Sequence, residues 1–277
     1  MKNQIVITAD DFGISKETNL AIMDSFKNGV LTSTCVMANG EAFLHAMDEV
    51  YPQIKDISLG VHLNIIEGKS QLSTSKQMLT DNQDIYNNGF IALLVKSFNN
   101  KFLDEIEKDF RVQIETILEK SEVEFINSHV HTHSIPRIFE LTCKLADEYK
   151  IPFIRTQAET PYYAPKFNRH LNINYPINLI KMILLNFFSI INFRTIKKYN
   201  VKTNKRFLGV TYTGNMDKNA IVSGIERIKN SDELLEIILH PTVDELKINN
   251  NIEYKTLIDP SIKEYLGQNL TDFKKLI

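Results

Sequence analysis

The sequence predicts an α/β protein: a distorted (β/α) TIM-like barrel, one domain with an inserted helical segment. Three observations lead there. Short apolar runs alternate with helix-period stretches, the pattern of parallel strands joined by crossover helices. Seven or eight such units fit in 277 residues, about the size of one barrel. Residues able to do chemistry stand where apolar runs end: Asp10-Asp11 after Gln4-Ile5-Val6-Ile7, His62 in Gly60-Val61-His62-Leu63-Asn64, and the run Asn127-Ser128-His129-Val130-His131-Thr132-His133. A doubly wound open sheet is the alternative architecture.

Taken in order, residues 4–8 read as the first strand. Ser15 then caps a helix reaching Asn28-Gly29, with Ala21, Ile22 and Phe26 on one face. Thr34 to Met37 is a second strand, Glu41 to Val50 a helix, and Ile57 to His62 a third strand. Residues 68–102 show no clean period and read as a long loop with short helical pieces between Gly89 and Phe98. An amphipathic helix spans 104–120, with Ile106, Phe110, Ile114, Ile117 and Leu118 on one stripe. Glu124 to Ile126 is a strand, 137–149 a helix, and Pro152 to Arg155 the next strand. Leu208 to Tyr212 is a further strand, Asp217 to Lys229 a helix, and Leu235 to His240 the last strand, stopped by Pro241.

Composition narrows the function classes. The chain is 43% hydrophobic and 24% charged with a net charge of -2, so no basic field points to nucleic acid. Lys197, Lys198, Lys202, Lys205 and Arg206 read as solvated faces. Cys35 and Cys143 read as reduced, half-buried thiols, and the chain opens directly on a strand pattern, which predicts a cytoplasmic protein. Residues 176–193 are apolar, but Asn178, Lys181, Asn186, Ser189 and Asn192 interrupt them. A buried or dimer-forming helix is the plainest reading of that stretch. A lid or peripheral membrane contact is the sharper one, and it makes a lipid-linked or membrane-proximal substrate worth testing.

Each motif alone is ambiguous. Asp10 and Asp11 could merely open a turn before the Ser15 cap, although side chains alternate along a strand and two neighbouring carboxylates then diverge. A lone strand histidine such as His62 is more often a hydrogen-bonded core residue than a ligand. His129, His131 and His133 could share one face if their segment stays extended. Arg155 and His240 are, singly, a structural cation and a strand cap. Together they say more. Asp11, His62 and His129 come from three strand ends that a barrel gathers on its carboxyl face. Two imidazoles and a carboxylate suit Zn²⁺ or another divalent ion, which polarises a carbonyl and lowers the pKa of water. Asp10 is placed to take a proton, His240 to give one, and Arg155 to keep Asp10 ionised.

Ala9-Asp10-Asp11-Phe12-Gly13-Ile14-Ser15, Asn28-Gly29-Val30-Leu31-Thr32-Ser33-Thr34, Gly60-Val61-His62-Leu63-Asn64, Asn127-Ser128-His129-Val130-His131 and Leu239-His240-Pro241 jointly resemble the YdjC/ChbG-type carbohydrate deacetylases. These are distant relatives of NodB-type polysaccharide deacetylases. The resemblance covers 4–155 and resumes around 208–242. It implies a distorted (β/α) barrel and metal-dependent removal of acetyl groups from an N-acetylated saccharide. It implies a divalent ion (Zn²⁺ or Mg²⁺) on Asp11, His62 and His129, with Asp10 as base, His240 as acid and Arg155 beside the base. The family often has Asp-Ser-His where this chain has Asn127-Ser128-His129, and Asn127 carries no charge. Residues 156–206 match nothing in the family pattern.

Two other classes remain open. One is a metal-dependent hydrolase of another ester, amide or phosphate, which His131 and His133 keep alive as ligands for a second ion. The other is a catalytically silent sugar-binding homologue. Glycosidic cleavage fits less well, because it needs two carboxylates flanking the bond and Asp11 is committed to metal.

Overall fold

The computed structural model describes residues 4–72, 78–165, 174–228, 233–243 and 251–277. Its eight described strands are β1 (Ile5–Phe12), β2 (Ser33–Val36), β3 (Ser58–Leu63), β4 (Phe125–Ser128), β5 (Phe153–Ile154), β6 (Lys202–Thr203), β7 (Arg206–Leu208) and β8 (Leu235–Leu239). They form one sheet in the order β6-β5-β4-β3-β2-β1-β8-β7. Every pairing is parallel. The sheet curls into a half-barrel, and among the described residues no ladder joins β6 to β7. The barrel expected from the sequence is therefore present in an open form.

Helices cover the outside. They are α1 (Lys16–Asn28), α2 (Phe90–Lys96), α3 (Asn100–Leu118), α4 (Pro136–Glu148), α5 (Asn174–Ile196), α6 (Lys218–Ile228), α7 (Ile252–Leu257) and α8 (Pro260–Leu266). Ser15 caps α1 as its sequence position requires, its Oγ accepting the Thr18 N–H at 3.1 Å. The stretch expected to be an α-helix from Glu41 closes instead as a π-helical turn over His45–Val50. α3 starts at Asn100, four residues earlier than expected, because Asn99 caps it through the Lys101 N–H at 2.9 Å. α5 is the inserted segment and packs on α4 and on the turn 129–134.

Strand periodicity divides the core into two layers. Ile5, Ile7 and Ala9 of β1 join the large cluster under the helices, with Ile106, Phe110 and Ile114 of α3. Val6, on the opposite face, meets Cys35, Phe125, Phe153 and Phe273 inside the curl. Phe273, from the C-terminal tail, stacks on Phe125 at 4.4 Å and plugs the lower end. Gly60 makes room for that stack: a Cβ there would lie 2.5 Å from the Phe125 ring. Above this apolar floor the inward positions turn polar, and Thr8, Asp10, His62, Asn127 and Glu236 are all buried there.

The expected strand at 208–212 is displaced. β7 ends at Leu208, and Gly209 follows with φ +134. A Cβ at Gly209 would also strike Ile238 at 2.5 Å, so only glycine turns the chain away here. Both cysteines are free and fully buried rather than half-buried.

Candidate active site

Each site residue follows from where its strand stops. Asp10 and Asp11 close β1, His62 lies one residue from the end of β3, and His129 follows β4 directly. Arg155 follows β5 and His240 follows β8. All the strands run parallel, so these ends gather at one rim, where α/β barrels keep their chemistry.

Simple alternation would turn Asp11 outward, toward the helices. The β1–β2 ladder prevents that. Between the pairs Ala9–Thr34 and Phe12–Val36, β1 carries two residues and β2 only Cys35. The extra residue is a bulge, and Asp11 takes φ +69 in it. Aspartate tolerates this left-handed geometry better than most side chains. The two carboxylates do diverge, but the bulge rather than alternation separates them.

Asp11 Oδ1 lies 3.1 Å from His62 Nε2 and 2.9 Å from His129 Nδ1. The donor atoms of these three residues all lie within 4.8 Å of one another. Asn127 Oδ1 sits 2.6 Å from His62 Nδ1 and can only accept, so Nδ1 carries a hydrogen and Nε2 is the nitrogen left to face Asp11. Turning the Asn127 amide over would set its oxygen against Asp10 Oδ1, 3.4 Å away. His62 Nε2 is buried and has no hydrogen-bond partner. It stands 3.1 Å from a carboxylate oxygen with no hydrogen bond between them, a gap that a cation would fill. The separations match the edges of a coordination shell with ligands at ~2.0–2.1 Å. These residues fit a divalent ion.

A second cluster, Asp10, Cys35 and His62, meets the same distance criterion. It fits a cation poorly. Both Asp10 oxygens are taken by the Arg155 fork, at 2.7 and 2.8 Å. Burial, reinforced by the Asp10 charge, drives the Cys35 thiol well above the usual range, so it stays protonated. The His62 nitrogen on that side is the one held by Asn127.

Arg155 is buried and also donates to Glu236 Oε1, at 3.0 Å from Nε and 2.7 Å from Nη2. Glu236 further accepts from Thr8 Oγ1 at 2.9 Å. Burial opposes ionisation of Asp10, but Arg155, with help from His62, outweighs it and holds the carboxyl far below the normal range. Asp11 is likewise held well below its usual value: burial opposes this, but its bond to His129 and the imidazoles around it prevail. His129 is raised in return. Burial lowers it, and the Asp11 carboxylate more than compensates.

His240 stands across the rim. Its N–H donates to Glu253 Oε2 at 2.7 Å, and its Nδ1 is 3.5 Å from the same oxygen. Asn251 Nδ2 donates to its carbonyl at 2.6 Å, so the first turn of α7 holds it from both sides. Burial disfavours its charged form, but Glu253, Asp11 and Asp10 push the imidazole up to about 9.

The three histidines after β4 do not share a face. Val130 and His131 both turn left-handed, at φ 51 and 57, so the segment coils instead of extending. A β-branched residue there is strained, a feature that collects at functional sites. His129 stays at the rim, and His131 points into the adjoining cavity with Nδ1 unpartnered. His133 is buried beneath them. Its Nδ1 meets Ser128 Oγ at 2.6 Å and its Nε2 the Arg155 carbonyl at 3.1 Å. Burial, aided by Arg155, lowers it to about 3, so it is a neutral internal strut.

Sequence reasoning missed Glu236, Glu253 and Asn251. Glu236 left a signal, a carboxylate between apolar Leu235 and Ile237 in a buried strand. Glu253 and Asn251 left none, because their segment has no motif.

Comparison with known proteins now bears on the assignment. A family model described as YdjC-like protein matches residues 4–268. This chain belongs to the YdjC-like family. It is 31% identical over 264 residues, 94% of this chain and 89% of the relative, to a carbohydrate deacetylase of Clostridium beijerinckii. It is 28% identical over 151 residues, 53% of this chain and 56% of the relative, to a chitooligosaccharide deacetylase of Salmonella typhimurium. Among solved structures, a protein of Enterococcus faecalis V583 provisionally named for cellobiose-phosphate cleavage superposes with TM-score 0.75. It shares 19% identity, with 99% of this chain and 98% of that one covered, and confirms the fold alone.

Proposed function

We propose that this YdjC-like chain is a metal-dependent carbohydrate N-deacetylase, hydrolysing the acetamide of an N-acetylated sugar. One observation carries the reading: the buried, unpartnered His62 Nε2 aimed at Asp11 beside His129. The names of the relatives support the reaction class. Asp11, His62 and His129 would hold the ion, and their donor set ranks Zn²⁺ above Mg²⁺. When bound, the cation supplies Lewis acidity to the acetamide carbonyl and lowers the pKa of nearby water.

The remaining steps belong to the protein. Asn127 fixes the His62 tautomer, so the ring always presents Nε2. Arg155 keeps Asp10 ionised and immobile, ready to accept a proton from the attacking water. The same fork weakens Asp10 as a base, so the water must already be acidified. Protonated His240 delivers its proton to the departing amine nitrogen, with Glu253 holding the ring in place. The cavity at the rim, about 410 Å³, has Asp10, His62, His129 and His240 in its lining, so the base, the two imidazole ligands and the acid face one space.

The test is acetate release from N-acetylglucosamine and its oligomers. Chelator-treated protein should be silent, and one equivalent of Zn²⁺ per chain should restore it. Asp10→Asn should lose ~10²–10⁴-fold in kcat while still binding the ion. Full activity of Asp10→Asn, or of chelated protein, overturns the assignment.

A further inference from the structure

The same cavity has walls of a different character from its floor. Phe90 and Ile91 of α2, Ile180 and Leu184 of α5, and Val210 after β7 enclose it, and Asn178, Lys181 and Thr213 are the polar exceptions. α5 carries the apolar surface onward. Ile180, Ile183, Phe187 and Ile190 recur at helical spacing and are each about 60% exposed (67%, 60%, 59% and 61%). On the facing side Ile91, Val95 and Phe98 are 64%, 65% and 69% exposed.

Such walls suit sugar hydroxyls badly. A second ring placed there would find only Asn178, Lys181 and Thr213 to replace its hydrogen bonds to water. An apolar chain placed there gains from every methylene it buries. The groove and the reacting centre share one cavity, so an apolar group attached to the molecule being hydrolysed reaches the groove. Resting on the deacetylase reading, we infer that the substrate is an amphiphile: an N-acetylated sugar whose apolar aglycone, alkyl or isoprenoid, lies between α2 and α5. The exposed stripe on α5 extends the seat for longer chains.

The experiment compares methyl and octyl glycosides of N-acetylglucosamine, below micelle formation, on the Zn²⁺-loaded full chain. Acetate release gives KM, and calorimetry gives binding independently of turnover. Half-burial of the seven extra methylenes predicts a KM for the octyl glycoside roughly 100-fold lower. Ile180→Glu puts a carboxylate in the wall at an exposed position, and should lower that ratio by about tenfold or more, because the chain then lies against a charge that keeps its water. Leu20→Glu, on α1, should leave the ratio unchanged. Equal KM for the two glycosides, with acetate released from both, overturns the aglycone inference and leaves the deacetylase reading standing. Tighter octyl binding with no acetate from either does the reverse. A soluble N-acetylated oligosaccharide with a KM below that of the octyl glycoside also overturns it. So does a dimer that buries Ile183 and Phe187 between copies and shows no octyl preference.

Discussion

Replacing Glu253 by Gln removes one charge while keeping the side chain's shape, and it isolates the contact that raises the His240 pKa. The Glu253 carboxylate accepts three backbone N–H groups, from Gly214 at 2.7 Å, Met216 at 3.2 Å and His240 at 2.7 Å. It also lies 3.5 Å from His240 Nδ1. Burial works against protonated His240, and Glu253 contributes the largest opposing effect, ahead of Asp11 and Asp10. Losing that charge should lower the imidazole from about 9 by roughly one unit. The amide also turns an NH₂ toward a backbone donor, at a cost of about 1–3 kcal/mol, or ~2–10 °C in Tm.

Three readouts separate this from a general loss of fold. Histidine resonances of the metal-free chain report the imidazole directly and should show the fall of roughly one unit. In the Zn²⁺-loaded protein the alkaline limb of kcat/KM should move down by the same amount, because the proposed mechanism uses protonated His240. That limb lies at or below 9 in the parent, since a dication on Asp11 cancels part of that carboxylate's pull. The third readout is stability against pH. A folded pKa above the unfolded one stabilises fully below ~6.5 and loses its contribution as pH rises toward 9. The variant should lose it earlier. A His240 resonance that titrates within about 0.3 unit of the parent would refute the role given to Glu253, whatever happened to the rate.

Two further outcomes test the shell beneath the site. Asn127→Leu leaves the His62 Nδ1 hydrogen without its 2.6 Å acceptor and should weaken Zn²⁺ binding ~10–100-fold in a chelator competition. Asn127→Asp should restore it, and equal affinity in all three proteins would exclude the tautomer argument. Arg155→Met strands Asp10 and Glu236 as buried carboxylates and should cost about 3–5 kcal/mol in urea unfolding. A loss below about 1 kcal/mol would show that the fork is not holding the pair.

The sequence carried the skeleton because the strands are short apolar runs bounded by real caps and turns. The Ser15 cap and the buried stripe of α3 fell where local chemistry put them. Assignment failed where backbone geometry overrode side-chain pattern. Leu208 to Tyr212 has strand composition, but Gly209 at φ +134 diverts it. The His-x-His-x-His spacing suggested one extended face, and two successive left-handed residues coiled it. Candidate ligands could be read from strand ends. The partners that tune them could not, because Glu253 approaches His240 from a helix with no motif of its own.

The adjacency of Asp10 and Asp11 is the least obvious part of the design. Two neighbouring carboxylates on an ordinary strand end would differ only in which face they occupy. Here one added residue in β1 swings Asp11 to the imidazoles and leaves Asp10 to the guanidinium. Environment then divides the labour between chemically equal groups. Asp10 meets a fixed guanidinium on both oxygens, so it remains an ionised carboxylate. Asp11 meets His62 Nε2 at 3.1 Å and His129 Nδ1 at 2.9 Å, and these three groups would hold a divalent ion between them. Over the pH range in which His129 is protonated, ion binding should displace its proton, because the Asp11 carboxylate raises its pKa, while Asp10, held low by Arg155, should release none; calorimetric titration in buffers of different ionisation enthalpy reads that proton.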